Sequence, residues 1–297
     1  MPHPDEGVGV AAPRRYGHGM DAVTILTGGA GGMGRATAEV IGRDQRVVLY
    51  DVRADRLEMV AAELAALGIE AVAVHGDVTD RAAVDRLFET AAEVGRLSAV
   101  IHAAGVSPSM GDAEYVLRTN ALGTVHVGEG FHIAAPDGAA LVNVASMAGH
   151  LLPAELIPTA SFPRALTDPT GFIDGMLAAC EVAPEEARSG IAYALSKNFV
   201  TWYSTSQAER FTGRGQRIVS VSPGSIDTEM GRLEAEAGAG ALVAAAAVPR
   251  WGRPEEMADL LAFCASSRAG YLTGTDILND GGVVASVRER ARAAAAG

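Results

Sequence analysis

The chain has 297 residues, 24 of them basic and 36 acidic, with 48% hydrophobic residues and a formal charge of −12. That acidic balance argues against a phosphate-backbone partner, so no nucleic acid is expected. The longest apolar run, Ala241 to Val248, is too short to cross a bilayer, and no membrane span is expected. Two distant cysteines, Cys180 and Cys264, exclude a disulfide scaffold and offer no metal-like spacing; packing roles, no metal and a cytoplasmic setting are expected.

Residues 1–20, with three prolines and four glycines, read as a disordered tail, and Met20 is an alternative start. Arg14-Arg15 is not followed by an apolar signal core, which argues against export. From Ala22 short apolar runs alternate with amphipathic stretches. Strands are predicted at 22–27, 46–51, 71–77, 97–105, 140–146, 217–223 and 275–280, with helices at 33–43, 54–67, 80–94 and 113–128. Continuous apolar strands of this kind are buried on both faces. The fold class is therefore α/β: a Rossmann-like, doubly wound, seven-stranded parallel sheet with helices on both faces. One domain is expected over 21–285, followed by a frayed tail at 286–297.

The first strand runs into Thr27-Gly28-Gly29-Ala30-Gly31-Gly32-Met33-Gly34, and a helical pattern begins at once. Glycines let backbone amides approach a pyrophosphate, and a helix N-terminus adds unpaired donors and a favourable dipole. Gly28, Ala30, Gly32, Met33 and Gly34 are the candidate cradle. Asp51 closes the second strand, 17 residues after Gly34, where its carboxylate can accept both ribose hydroxyls of an adenosine and repel a 2′-phosphate. NAD is thus favoured over NADP, although Arg53 keeps NADP open. Asp77 and Val78 close the third strand, where they can meet the adenine.

All 24 basic side chains but one are arginine; the exception is Lys197. Either the Arg-biased composition left it by chance, or it stands where a planar guanidinium would not fit. It lies four residues after Tyr193, a spacing that puts phenol and ammonium on one helical face. The ammonium is expected to lower the Tyr193 pKa and make it a useful acid/base.

With the Gly-rich turn, Ser146 at a strand end and the Tyr193–Lys197 pair, the chain resembles the short-chain dehydrogenase/reductase family over roughly Ala22 to Val284. The resemblance implies a tetrad of Asn120 (in TNALGT), Ser146 (in NVASMAG), Tyr193 and Lys197. Ser146 would hold the substrate oxygen and Tyr193 exchange the proton; Lys197 would lower the Tyr pKa and bind the nicotinamide ribose, with Asn120 supporting a water relay. It adds Ala104 and Gly105 after the fourth strand, and Pro223, Gly224, Ile226 and Thr228 after the sixth, as cofactor contacts. His102 stands where the family has a strand-tying Asn, and is expected to be structural. Ser146 and Tyr193 are 47 residues apart, which marks 150–190 as an insertion. Its bulky apolar residues, like those of bacterial hydroxysteroid dehydrogenases with extra sequence there, imply a cover over the substrate pocket.

The expected function is an NAD-dependent oxidoreductase passing hydride between nicotinamide and a secondary alcohol or ketone, with a steroid or other lipophilic alcohol as substrate. A homo-oligomer is expected, with the insertion favouring dimer over tetramer. Two alternatives stay open. The turn also fits TGxxGxxG, as in sugar-nucleotide-modifying relatives, and a non-catalytic NAD sensor would need only the cofactor half.

Overall fold

In a computed structural model, residues 21–235 and 240–296 are described here; the expected tail at 1–20 lies outside them. Seven runs rich in Val, Ile and Leu form the strands β1 (Ala22–Thr27), β2 (Arg46–Asp51), β3 (Ala71–His75), β4 (Arg96–His102), β5 (Ala140–Val144), β6 (Arg217–Pro223) and β7 (Asp276–Asn279). All pairs are parallel, in the order β3-β2-β1-β4-β5-β6-β7. β1, β5 and β6 are buried throughout, whereas β3, at an edge, is half-exposed. The chain reverses direction across the sheet between β1 and β4, opening a crevice at their carboxyl ends.

Helices cover both faces. On one lie α1 (Gly32–Ile41), α2 (Ala54–Ala66) and, from later in the chain, Pro254–Ala265, built around Ile41, Leu57, Leu64 and Leu261. On the other lie α3 (Arg81–Val94), the bent helix α4 (Ala113–Leu117) to α5 (Gly123–Ala134), and Arg188–Ser206. A π-helical turn, Arg118–Leu122, joins α4 to α5 and contains Asn120; such turns add a residue to the helix and occur often at functional sites. The remaining helices in chain order are α6 (Pro169–Cys180), α7 (Arg188–Ser206), α8 (Ala208–Thr212), α9 (Glu229–Glu234), α10 (Gly240–Ala245), α11 (Pro254–Ala265) and α12 (Val283–Ala296).

Two segments give these expectations particular residues. Residues 286–296 are not frayed: Ala, Arg and Glu are strong helix formers, and α12 continues to Ala296. Val283 and Val284 pack near Met147, while Arg288 donates to the His150 carbonyl at 3.2 Å. Part of the insertion packs into the core. Asp168 caps the start of α6 by accepting from Gly171 N at 3.0 Å, with Pro169 in the first turn. Phe162, Phe172, Ile173 and Met176 are then buried in the main core. Phe172 meets Phe199 with ring centroids 4.6 Å apart, and Phe162 meets Trp202 at 5.4 Å. At 100° per residue, Phe199 and Trp202 lie on the side of α7 roughly opposite Tyr193 and Lys197, so these aromatics seal the back of that helix. Leu151, Leu152, Leu156 and Ile157 are half-buried, Leu151 packing near Met147 and Leu152 and Ile157 against the main core.

Candidate active site

The turn after β1 is shaped by contacts that only glycine permits. Gly28 has φ +69°, and a Cβ there would lie 2.7 Å from the backbone of Ala103 and Ala104; at Gly34 it would lie 2.2 Å from the Gly28 carbonyl. α1 opens with an extended Gly31, no side-chain cap and no acidic residue in its first turn. Among the described residues its first amides have no anionic side-chain cap, which leaves the donor set a pyrophosphate requires. Met33 is half-buried against the core of this face. Asp51, 8% exposed, accepts from Ala30 N at 3.1 Å through one oxygen and from Arg53 N at 3.1 Å through the other. The carboxylate is thus fixed between the turn and the end of β2. Arg53 Nε also lies 3.5 Å from it.

The other expected cofactor residues divide. Ala104 N donates to Thr27 Oγ1 at 3.2 Å, and Gly105 sits so close to Asn120 and Lys197 that a Cβ would be 2.9 Å from one and 3.4 Å from the other. Gly105 therefore joins the cofactor crevice to the reacting end. Thr228 caps α9 and its methyl faces Gly32 across the turn. Gly224 N donates to the Asn279 carbonyl at 3.0 Å, so that loop, which begins at Pro223, is tied to β7. The Ile226 side chain packs in the core with Leu261 and rests on Gly252. Asp77 accepts from Thr79 N at 2.8 Å and Val78 packs on Gly123, both in the turn just after β3.

Ser146, Tyr193 and Lys197 converge. Ser146 follows β5, its hydroxyl accepting from Ala148 N at 3.2 Å and favouring ionisation of the Tyr193 phenol; Lys197 Nζ, 6% exposed, donates to the Val144 carbonyl at 2.9 Å. Gly149 lets this segment lie against the backbone of α7, where a Cβ would be 2.7 Å from Asn198 N. Asn120 clamps Val106: its Oδ1 accepts from Val106 N at 2.8 Å and its Nδ2 donates to Val106 O at 3.0 Å.

The electrostatics correct one expectation. Burial lowers Lys197 to about 8. The Tyr193 phenol, however, is raised above its ordinary value, first by burial and also by the Glu234 carboxylate, with the Ser146 hydrogen bond pulling the other way. The Lys197 ammonium lies 5.9 Å from the phenol's ring centroid and donates to the Val144 carbonyl. His102 is structural. Its ring joins Thr27 on β1 (2.7 Å) to Thr124 on α5 (3.1 Å), and burial, then Lys197, lowers its pKa to about 3, so it stays neutral.

Sequence reasoning missed Glu234, Ser109 and the group His150, Ser222 and Asp276. Ser109 Oγ donates to Glu234 at 2.7 Å across 125 residues, and His150 Nε2 lies 2.9 Å from Asp276 and 3.1 Å from Ser222. No local pattern marks such pairs. Among the described residues no cluster of three metal-ligating side chains occurs, and no helix is long and apolar enough to cross a membrane.

Fold and crevice together define an α/β enzyme of the dinucleotide-binding type. Comparison with known proteins sharpens this. Residues 22–158 match the short chain dehydrogenase family model, and residues 175–284 match the model described as enoyl-(acyl carrier protein) reductase. A short-chain dehydrogenase/reductase of Alternaria brassicicola is 31% identical over 272 residues, covering 90% of this chain and 97% of that protein. A D-threitol dehydrogenase of Mycolicibacterium smegmatis is 29% identical over 88% of this chain and 92% of its own length. A short-chain dehydrogenase/reductase structure from Serratia marcescens superposes with a TM-score of 0.71 at 24% identity, over 89% of this chain and 98% of that one. A Burkholderia cenocepacia short chain dehydrogenase, solved in complex with NADP, gives 0.69 at 23% identity over the same 89% and 98%. The chain belongs to the short-chain dehydrogenase family of nicotinamide-dependent oxidoreductases.

Proposed function

We propose that the protein is an NAD-preferring oxidoreductase interconverting a secondary alcohol and its ketone. The observation that carries this is the meeting of Ser146, Tyr193 and Lys197 beside Gly105, at the reacting end of a glycine-lined crevice. Ser146 donates a hydrogen bond to the substrate oxygen. Tyr193 takes the hydroxyl proton in oxidation and returns it in reduction. Lys197, pushed down to about 8, keeps a compact ammonium near the phenol and can bond a ribose hydroxyl. Asn120 fixes the Val106 segment over the site and carries the proton path onward through the helix's π turn. The nicotinamide ring, when bound, accepts or supplies the hydride.

NAD preference rests on Asp51, whose fixed carboxylate lies where a 2′-phosphate would be repelled. Substrate size is harder to read from the insertion, because Phe162, Phe172, Ile173 and Met176 serve the core. A lipophilic alcohol is supported only by Leu151, Leu152, Leu156 and Ile157. Relatives named for small alcohols, the D-threitol dehydrogenase and a Staphylococcus epidermidis diacetyl reductase, favour a small substrate. The cytoplasm is the proposed compartment. Aromatics sealing the back of α7 support a homo-oligomer built without that helix, a dimer. The complete Ser, Tyr and Lys set disfavours a sensor, and the closing match over 175–284 disfavours a sugar-nucleotide enzyme.

The test is to mix protein, NAD+ or NADP+ and a panel of secondary alcohols while following the absorbance of the reduced nicotinamide. Turnover with NAD+ supports the reading. Tight NADH binding without turnover on any alcohol or ketone overturns it in favour of the sensor.

A further inference from the structure

The loop after β4 and the helix after β6 meet above the reacting end. The short turn Pro108–Met110 packs on both α7 and α9, and Ser109 donates to Glu234 Oε1 at 2.7 Å. At its other end α9 is tied down by the Arg56–Glu229 ion pair, so the helix bridges the crevice from the α2 side to the substrate side. Glu234 is half-buried, and Ser109 engages only one of its two oxygens. Its charge reaches the phenol of Tyr193. Lys197, on the same helix as the phenol, is held at Val144.

We propose that Glu234 selects the substrate: its free carboxylate oxygen receives a hydrogen-bond donor carried next to the reacting carbinol, such as a second hydroxyl, and its charge repels substrates with a carboxylate at that place. This rests on the alcohol dehydrogenase reading above and names the substrate class within it. A half-buried carboxylate with an unused oxygen gains a charge-assisted bond from a neighbouring hydroxyl, whereas a second anion there meets an unscreened like charge. The same negative charge disfavours phenolate formation at Tyr193, which ties selection to the pH profile.

Matched four-carbon probes test this: 2,3-butanediol with a neighbouring donor, 2-butanol without one, and 3-hydroxybutyrate with an anion. A fourth, 3-amino-2-butanol, separates an ammonium donor from a hydroxyl. Wild-type kcat/KM is expected to favour the diol over 3-hydroxybutyrate by at least about tenfold. Glu234→Gln should erase most of that ratio, chiefly through KM. It should also move the rising limb of the oxidation pH profile to lower pH, because removing a negative charge eases phenol ionisation. Ser109→Ala keeps the charge and should leave that limb in place. A Glu234→Gln ratio equal to wild type, or an unmoved limb, overturns the proposal. If no probe is turned over, calorimetric binding of the diol and of 3-hydroxybutyrate to NADH-loaded protein reads the same ratio. Failure of every alcohol in the wider panel counts against the enzyme reading, whereas turnover blind to Glu234 counts against this inference alone.

Discussion

The two faces of α7 are held by opposite kinds of chemistry. The front carries Tyr193 and Lys197, buried or half-buried polar groups, with Lys197 held by a hydrogen bond to Val144 and Tyr193 under the influence of Ser146. The back carries Phe199 and Trp202 among the rings of Phe162 and Phe172, all apolar packing. Burial on the front shifts pKa values and prepares chemistry; burial on the back contributes stability and fixes where the front points. Activity and stability should therefore separate cleanly along one helix.

The largest separation is expected from Tyr193→Phe. It removes only the proton-carrying hydroxyl, so turnover should fall by ~10² to 10⁴. NADH affinity and the denaturation midpoint should hardly move. Turnover that survives would mean another group carries the proton. The converse is Phe172→Ala, which opens a cavity behind α7 and should lower unfolding free energy by about 3–5 kcal/mol in urea titrations. At temperatures where the variant stays folded, KM and kcat should remain close to wild type; a large loss of kcat would show that the two faces are coupled.

A smaller effect concerns His102, below the front face. Its folded pKa of about 3 lies under the ordinary 6.5, so the unfolded chain binds the proton first as pH falls. The stability it contributes is complete above 6.5 and is lost toward 3, at about 1.4 kcal/mol per pH unit once below 6.5. Between pH 7 and 5 the wild type should lose about 2 kcal/mol more than His102→Asn. Equal pH slopes in paired denaturation curves would remove His102 from this account. The smallest expected effect is at the far end of the crevice. NADH should bind at least about tenfold tighter than NADPH, about 1.4 kcal/mol, with Asp51→Ala narrowing the gap in calorimetry.

What the sequence made legible follows the same division. The strands, the turn at 27–34 and the Tyr193–Lys197 spacing are short-range patterns, and each was read within a few residues of its place. The back of α7 was not, because the apolar residues of 150–190 look the same whether they line a pocket or fill a core. Only the tertiary contact of Phe172 with Phe199 decides between these. The phenol's pKa was misjudged for a related reason. Spacing puts Lys197 beside Tyr193, but burial of the phenol raises it first, and Glu234, 41 residues away, adds to that.

The solitary lysine has one more consequence. Acylating reagents attack only neutral amines, and besides the α-amino group the chain offers them a single ε-amine. That amine is poised near pH 8 yet shut away under the sheet's carboxyl edge. Its labelling by an excess of reagent is therefore limited by how often the site opens, and one peptide mass reports the rate. The protein thus carries an inbuilt single-residue clock for the breathing of its own active site, readable without introducing a probe.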